Sequence, residues 1–413
     1  MRSNHNREVT RFIGLGLVEL TNKGYGLFLA LLIPLKFGLE DYGRIQFLIF
    51  TLTSLAALVS GNARTLLMRR SPKFRNPEYV MKYFVSISIL STIALFFIYL
   101  FLYIAHYSVT GVELDVLVIY ENSGFLHLAL YICWVEAILV MSISGGVFIS
   151  LSLAPALSLI NLMRILGLIV SMEVSSEPSS LISKLAIIEL IACIISLFYL
   201  FWKSGTRKLE INFSMIFRIF KMKASLFLNL GNFMTLVGLW LFQYVLSLGE
   251  NGLIILGLYG LLNRYLSIVT TLPGLLFQKQ LAYFEGSMSE LSNRRSLLIQ
   301  ALSLFVYSAF GSLVCMIFLP DNLLQTSGMS VFPFSIVIQT TCFCLLLNGL
   351  LGTRALQLGG YRALGRSDLG LGLLMSLISF SLFIRPFGFG VAMTLFSLSY
   401  LFSCLILLRE IRS

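Results

Sequence analysis

No stretch of this chain is polar for long enough to fold in water by itself. Charged residues make up 12% of its 413 positions against 57% hydrophobic ones, and the mean hydropathy is +0.89. That composition excludes a soluble globular domain and places the chain among all-α proteins that cross a membrane many times. Whatever it does is carried within the bilayer or at its edge. Histidine is scarce, and His5, His106 and His127 fall on a polar tail, a loop and a helix end with no metal-ligand spacing. All six cysteines lie inside apolar runs, and Cys342 and Cys344, two apart, do not share a helical face, so neither disulfides nor a metal site is indicated. There is no Gly-rich loop ending in Lys-Ser or Lys-Thr to cradle nucleotide phosphates, and no nucleophile beside a base. The chain therefore reads as a protein that is not an enzyme and needs no cofactor.

A net charge of +11 could suggest nucleic acid, but the basic residues fall in short loops between apolar runs, so nucleic acid is not an expected partner and membrane lipid is. Twelve apolar runs reach spanning length: 12–37, 45–68, 83–105, 124–152, 155–172, 185–202, 224–248, 252–277, 296–319, 331–352, 369–386 and 389–408. The fourth and fifth are separated only by Ser152-Leu153-Ala154-Pro155, with Pro155 as the break signal. Met1–Arg11 resembles the charged leader of a signal peptide, but the run after it is about twice the apolar length of a signal and contains Glu19 and Lys23, so it reads as a retained first helix. An even number of spans puts both termini on one side. With that side cytoplasmic, the outer turns hold only Lys36, Arg44, Lys184 and Arg385 of the 30 Lys and Arg residues. Apart from Lys23, Arg64, Arg164 and Arg264 inside the runs, all the others lie in inner segments, as the positive-inside rule requires.

The longest basic loop, 203–223, divides the spans evenly and reads as a cytoplasmic linker between an N-terminal six-helix lobe over 1–202 and a C-terminal one over 224–413. The turn Leu39-Glu40-Asp41-Tyr42-Gly43 has a counterpart in Leu248-Gly249-Glu250-Asn251-Gly252, each with an acid shortly before the glycine, which supports two repeats.

Charges inside the runs are the candidate functional residues, since a charge at the bilayer centre costs at least about 2.5–3.5 kcal/mol on insertion scales. Glu19 and Lys23 stand four apart, with the acid N-terminal, the favourable order for a pair within one helix. They read either as a self-neutralising pair or as a site in which Lys23 meets an anion while Glu19 balances it or takes up a proton. Arg264 lies about 18 Å into its run, at 1.5 Å per residue, with no acid in the same run and Asn263 beside it. Arg64, near the end of the second run, either snorkels to headgroups or lines a polar path. Glu136 and Arg164, near mid-span on neighbouring runs, are expected to form a structural pair. Glu189, Asn229, Asn232 and Gln243 are further polar intrusions, of the kind that more often glue helices than bind ligands.

The turn Phe37-Gly38-Leu39-Glu40-Asp41-Tyr42-Gly43, together with a second run ending Gly61-Asn62-Ala63-Arg64-Thr65-Leu66-Leu67-Met68-Arg69-Arg70 in a twelve-span chain, resembles the polysaccharide-export branch of the MOP transporter superfamily, and within it the O-antigen (Wzx-type) flippases. The likeness covers the whole chain in topology and the first hairpin in motif. It implies two six-helix lobes around a central cavity lined by the first, second, seventh and eighth helices. It also implies a cargo of oligosaccharide on undecaprenyl pyrophosphate, turned from the inner to the outer leaflet of a bacterial cytoplasmic membrane, with a polysaccharide polymerase and chain-length machinery as partners and a proton or sodium gradient as the available energy source. Under this resemblance Lys23 and Arg264 hold the pyrophosphate, for which the planar fork of Arg is suited, and Glu19, Arg64, Asn263, Asn229, Asn232 and Gln243 complete the cavity. The segment after Pro273-Gly274, Phe277-Gln278-Lys279-Gln280, lacks the further proline common in relatives.

Two other readings remain. A membrane-embedded glycan polymerase or ligase would carry a large charged outer loop, whereas the longest outer stretch here, 106–123, has only Glu113, Asp115 and Glu121. A drug or metabolite antiporter of the same superfamily would favour acidic cavity residues, whereas these lean basic.

The topology is checked by single cysteines in a cysteine-free background. Ser204→Cys and Ser413→Cys are expected to react with a membrane-impermeant maleimide only after the cytoplasmic face is opened, and Ser123→Cys from the outside of intact cells. Labelling of Ser413→Cys in intact cells would overturn the twelve-span map.

Overall fold

The computed structural model describes residues 2–60, 76–108, 125–151, 153–205, 223–249, 251–283, 294–318, 331–357, 361–384 and 389–412. Each apolar run folds as a helix, because hydrocarbon offers the backbone no partner except its own i−4 carbonyl. In chain order the helices are α1 (Arg2–Phe37), α2 (Leu39–Ser60), α3 (Pro77–Ser108), α4 (Phe125–Ser150), α5 (Ala154–Val174), α6 (Pro178–Ser204), α7 (Lys223–Ser247), α8 (Gly252–Val269), α9 (Thr271–Tyr283), α10 (Arg294–Phe318), α11 (Val331–Gln357), α12 (Tyr361–Ile384) and α13 (Phe389–Arg412). Among the described residues, 12 helices are long and apolar enough to cross a membrane, and α9 is the short remaining one. Rows of outward-facing apolar side chains, such as Leu159, Leu166 and Val170 on α5 or Phe198 and Trp202 on α6, are exposed as lipid-facing surfaces are.

The chain divides into two compact units, Met1–Lys221 and Met222–Ser413. The same helix pairing recurs inside each. In the first unit α1 packs along α5, α4 and α5 pack against α6, and α3 packs against α4. In the second, α7 packs along α12, α11 and α12 against α13, and α10 against α11. Each unit is thus a copy of one six-span arrangement.

Two boundaries differ from the sequence reading. The turn expected over residues 38–43 is a single residue, Gly38, with φ +90°, and Leu39 already starts α2. Glu40 and Asp41 are helical because acids suit the positive end of the helix dipole, and Glu40 pairs with Arg44 one turn on at 2.7 Å. The expected run 252–277 breaks at Thr270 into α8 and α9. The cause is Pro273, which has no N–H to offer the Val269 carbonyl four residues earlier. That carbonyl accepts a hydrogen bond from the Tyr307 hydroxyl of α10 instead, at 2.8 Å.

The first and fifth helices of each unit run parallel and meet through small residues. A Cβ on Gly14 would lie 3.1 Å from Ala154 Cβ across the α1–α5 seam. The α7–α12 seam is tighter. A Cβ on Gly231 would come within 2.5 Å of the Gly365 carbonyl oxygen, one on Gly238 within 2.5 Å of the Gly372 oxygen, and one on Gly372 would overlap the Met234 backbone. Helices in lipid gain their association from such close approach, since apolar burial drives nothing between them. Thr235 Oγ1 seals the seam by donating to the Asp368 carbonyl at 2.7 Å.

Gly372→Val is therefore expected to destabilise the protein by more than about 2 kcal/mol, because the clash is with backbone that has no rotamer to give. Gly274→Ala, where a Cβ meets nothing within 4 Å, is expected to be neutral or stabilising by about 1 kcal/mol. Thermal unfolding in detergent checks both. Equal melting temperatures for Gly372→Val and wild type would contradict the account of the seam.

Candidate functional site

The first unit holds a polar cluster at membrane depth, centred on Arg164 of α5. Its guanidinium forms an ion pair with Glu189 of α6, Nε donating to Oε1 at 3.2 Å and Nη2 to the same oxygen. Nη1 donates to Asn161 Oδ1 at 3.1 Å, one helical turn back, and to Asn22 Oδ1 of α1 at 3.5 Å. The ring of Tyr25 lies under the guanidinium at 4.3 Å, a cation–π contact. Asn161 Nδ2 in turn donates to Thr21 Oγ1 at 3.4 Å. Both charged side chains are largely withdrawn from the surface, 13% exposed for Arg164 and 5% for Glu189. Three helices are thereby tied around one neutralised charge.

The expected Glu136–Arg164 pair is not formed. Glu136 of α4 accepts a hydrogen bond from Thr92 Oγ1 of α3 at 2.9 Å, and Glu189 takes the arginine. The reason is helix order. The described face of α5 around Arg164 packs between α1 and α6, while Glu136 sits where α4 meets α3. Glu189, read from the sequence as a minor intrusion, is the first unit's principal acid. Asn161 was visible in principle, three residues before Arg164 and hence on its face; Asn22 and Tyr25 carried no signal before α1 and α5 were known to touch.

Glu19 and Lys23 stand on another face of α1, about 110° around the helix from the Asn22–Tyr25 face at 100° per residue. Glu19 is buried, Lys23 is half-buried, and the two interact electrostatically. The second unit has a corresponding face. Asn229, Asn232 and Gln243 lie on one side of α7, opposite the glycines that pack on α12. Asn229 and Asn232 are half-buried, while Gln243 is 1% exposed and its Oε1 has no hydrogen-bond partner among the described residues. In both units, then, the first helix turns a polar face away from the seam it forms with the fifth.

Arg264 and Asn263 are half-buried on α8. The Nε of Arg264 is fully buried and lacks a hydrogen-bond partner among the described residues. Such a donor in a dry surround costs about 1–3 kcal/mol while unmet. Arg354, which the sequence placed in an inner basic loop, is buried near the end of α11, where Gln300 at 2.9 Å and Ser296 at 3.2 Å accept from it. Arg64 lies outside the described residues. Among those residues no group of three or more His, Cys, Asp or Glu could hold a metal ion.

No family model matches the sequence, and no curated protein does. Solved structures match over almost the whole chain. An inward-facing multidrug resistance MATE family transporter of the MOP superfamily aligns with TM-score 0.60 at 13% identity, covering 95% of this chain and 93% of its own. The MATE multidrug transporter DinF-BH aligns with TM-score 0.59 at 15% identity, covering 98% and 95%. A MOP superfamily transporter from Pyrococcus furiosus, described as having a binding pocket of reverse polarity, aligns with TM-score 0.55 at 13% identity, covering 97% and 93%. This multi-pass membrane protein has the two-lobed fold of the MATE transporters of the MOP superfamily.

Proposed function

We propose that this chain is a lipid-linked oligosaccharide flippase, moving undecaprenyl-pyrophosphate-linked glycan repeat units of O-antigen or another surface polysaccharide from the inner to the outer leaflet of a bacterial inner membrane by alternating access. Arg264 is the observation that carries the reading. It is a permanent cation in a membrane-spanning helix whose buried Nε has no acceptor among the described residues, and a pyrophosphate oxygen is an acceptor suited to its planar fork. Lys23 serves as the second cation, exchanging its interaction with Glu19 for a phosphate. Asn263, Asn229, Asn232 and Gln243 offer amides for glycan hydroxyls, and Arg64, near the end of the second apolar run of the sequence, adds a cation. The lipid tail stays in the bilayer while the headgroup crosses. A polysaccharide polymerase and chain-length machinery would receive the product.

A drug or metabolite antiporter is the second reading, favoured by the multidrug transporters among the structures of like fold. The fold suits a carrier of either kind better than a glycan polymerase.

A leaflet-translocation assay separates these. Vesicles containing only this protein and a fluorescent polyprenyl pyrophosphate saccharide are expected to move the label across the bilayer. Arg264→Ala and Lys23→Ala are each expected to slow it roughly 10- to 100-fold, the loss of one charge-assisted contact of about 1.5–3 kcal/mol. Arg264→Lys is expected to retain part of the rate. Translocation no faster than in protein-free vesicles, with organic cations carried instead, would replace the flippase by the antiporter. Wild-type rates in both alanine variants would sink the binding assignment.

A further inference from the structure

The outer surface of the second unit is charged at one end in a way that the first unit's is not. On α12 the side chains of Arg362, Arg366, Leu373 and Leu377 are all exposed, and at 100° per residue they fall within about 60° of the helix circumference. On α13 the same holds for Phe402, Leu405 and Arg409. Each helix therefore carries one outward stripe that is cationic at its end and bare hydrocarbon beyond it. The stripes are neighbours, because α12 and α13 pack together and a Cβ on Gly370 would lie 3.4 Å from the Phe402 ring. Arg366 also donates to Glu410, the residue after Arg409, at 2.7 Å, so the charged ends of both stripes meet.

One carboxylate stands against three guanidinium groups here. Glu410 meets Arg366, while Arg362 and Arg409 form no ion pair among the described residues. Arg362 and Arg366 lie in the first two turns of α12 and Arg409 in the last turn of α13, shallow enough for their long stems to lift the charge to the level of lipid phosphates. The positive-inside rule explains cations at this end of a span, but not their place on the same stripes as exposed Leu373 and Leu405. The matching end of the first unit shows the contrast. There α5 opens on Ala154-Pro155 and carries no charge before Arg164, and α6 has Lys203 in its last turn, with the ammonium over the ring of Trp202 at 4.7 Å. Leu159 of α5 and Phe198 of α6 are as bare as their counterparts, without the cationic rim.

We propose that this end of the α12–α13 surface is a binding site for an anionic phospholipid, whose phosphate lies between Arg362 and Arg409 and whose acyl chains follow Leu373, Leu377, Phe402 and Leu405. The planar fork of a guanidinium suits a phosphate, and basic pockets between spans are places where acidic lipid headgroups gather. A zwitterionic lipid brings the same phosphate with an ammonium attached, which a cationic rim repels, so the net negative charge decides the occupant. The loop charges of the sequence put this end on the cytoplasmic side, which makes the occupant a lipid of the inner leaflet. The site holds whatever the cargo is.

Fluorescence quenching by lipids brominated on their acyl chains tests it. The full chain carrying Leu405→Trp is reconstituted in phosphatidylcholine vesicles, and the signal of the native tryptophans, measured without that substitution, is subtracted. Brominated phosphatidylglycerol is expected to compete for the reporter's surroundings roughly 5- to 25-fold better than brominated phosphatidylcholine, a factor of about five for each arginine near the surface. Arg362→Gln and Arg409→Gln, both at exposed positions, are each expected to remove one such factor, and the double variant to leave no preference. A reporter at Leu159→Trp, on the first unit's uncharged stripe, is expected to show none from the start. Equal quenching by the two lipids at Leu405→Trp would overturn the proposal, as would an undiminished preference in the double variant. The same preference at Leu159→Trp would also overturn it, by showing a property of the whole surface rather than of this site. Because no cargo enters the assay, its outcome is independent of the flippase reading.

Discussion

A hydrocarbon surround offers no partner to a polar group, so every charge in a membrane span must be met by the protein itself or by what the protein binds. The Arg164–Glu189 ion pair is where this constraint acts most strongly in the first unit. Around it Asn161, Asn22 and Tyr25 satisfy the remaining edges of the guanidinium, so α1, α5 and α6 are joined by one network that no single helix could complete. The same constraint shapes the backbone. Pro273 deprives the Val269 carbonyl of its donor, and the Tyr307 hydroxyl of α10 replaces it. The break between α8 and α9 is thereby kept without an unmet carbonyl, and Gly311 lets α10 come close enough, since a Cβ there would overlap Val269.

Close backbone approach does the rest of the assembly. Glycines on both sides of the α7–α12 seam bring two parallel helices to a separation that ordinary side chains would forbid. The α1–α5 seam achieves the same with Gly14 against Ala154 and then adds the polar network above it. One architecture is thus held in two ways, by charge in one copy and by glycine packing in the other. The polar faces of α1 and α7 point away from these seams.

The spans were legible in the sequence because length and hydropathy alone decide them, and the repeat because loop placement follows from it. Partners were not legible. Glu136 and Glu189 are both acids near mid-span, and only the order of helices around α5 decides that Glu189 meets Arg164. Asp368 falls just outside the apolar run 369–386, whereas the helix begins at Tyr361 and carries the carboxylate inward. Gly38 ended α1 as a turn residue should, but Leu39 to Gly43 were helical already, since acids read as turn formers serve equally as the first turn of a helix. Among the candidate site residues, Lys23 and Arg264 were singled out by charge alone, and the buried Nε of Arg264 is a feature that only coordinates could reveal.

The account rests on compensation of buried charge within each unit, and a double-mutant cycle on Arg164 and Glu189 measures it directly. Arg164→Met and Glu189→Leu each strand the other charge and are predicted to lower stability by about 3–5 kcal/mol, whereas the double variant, with two apolar side chains in place of the pair, is predicted to recover most of that loss. A double variant as unstable as the sum of the singles would show that the pair is not what neutralises this part of the membrane interior, and the account would fail at its base.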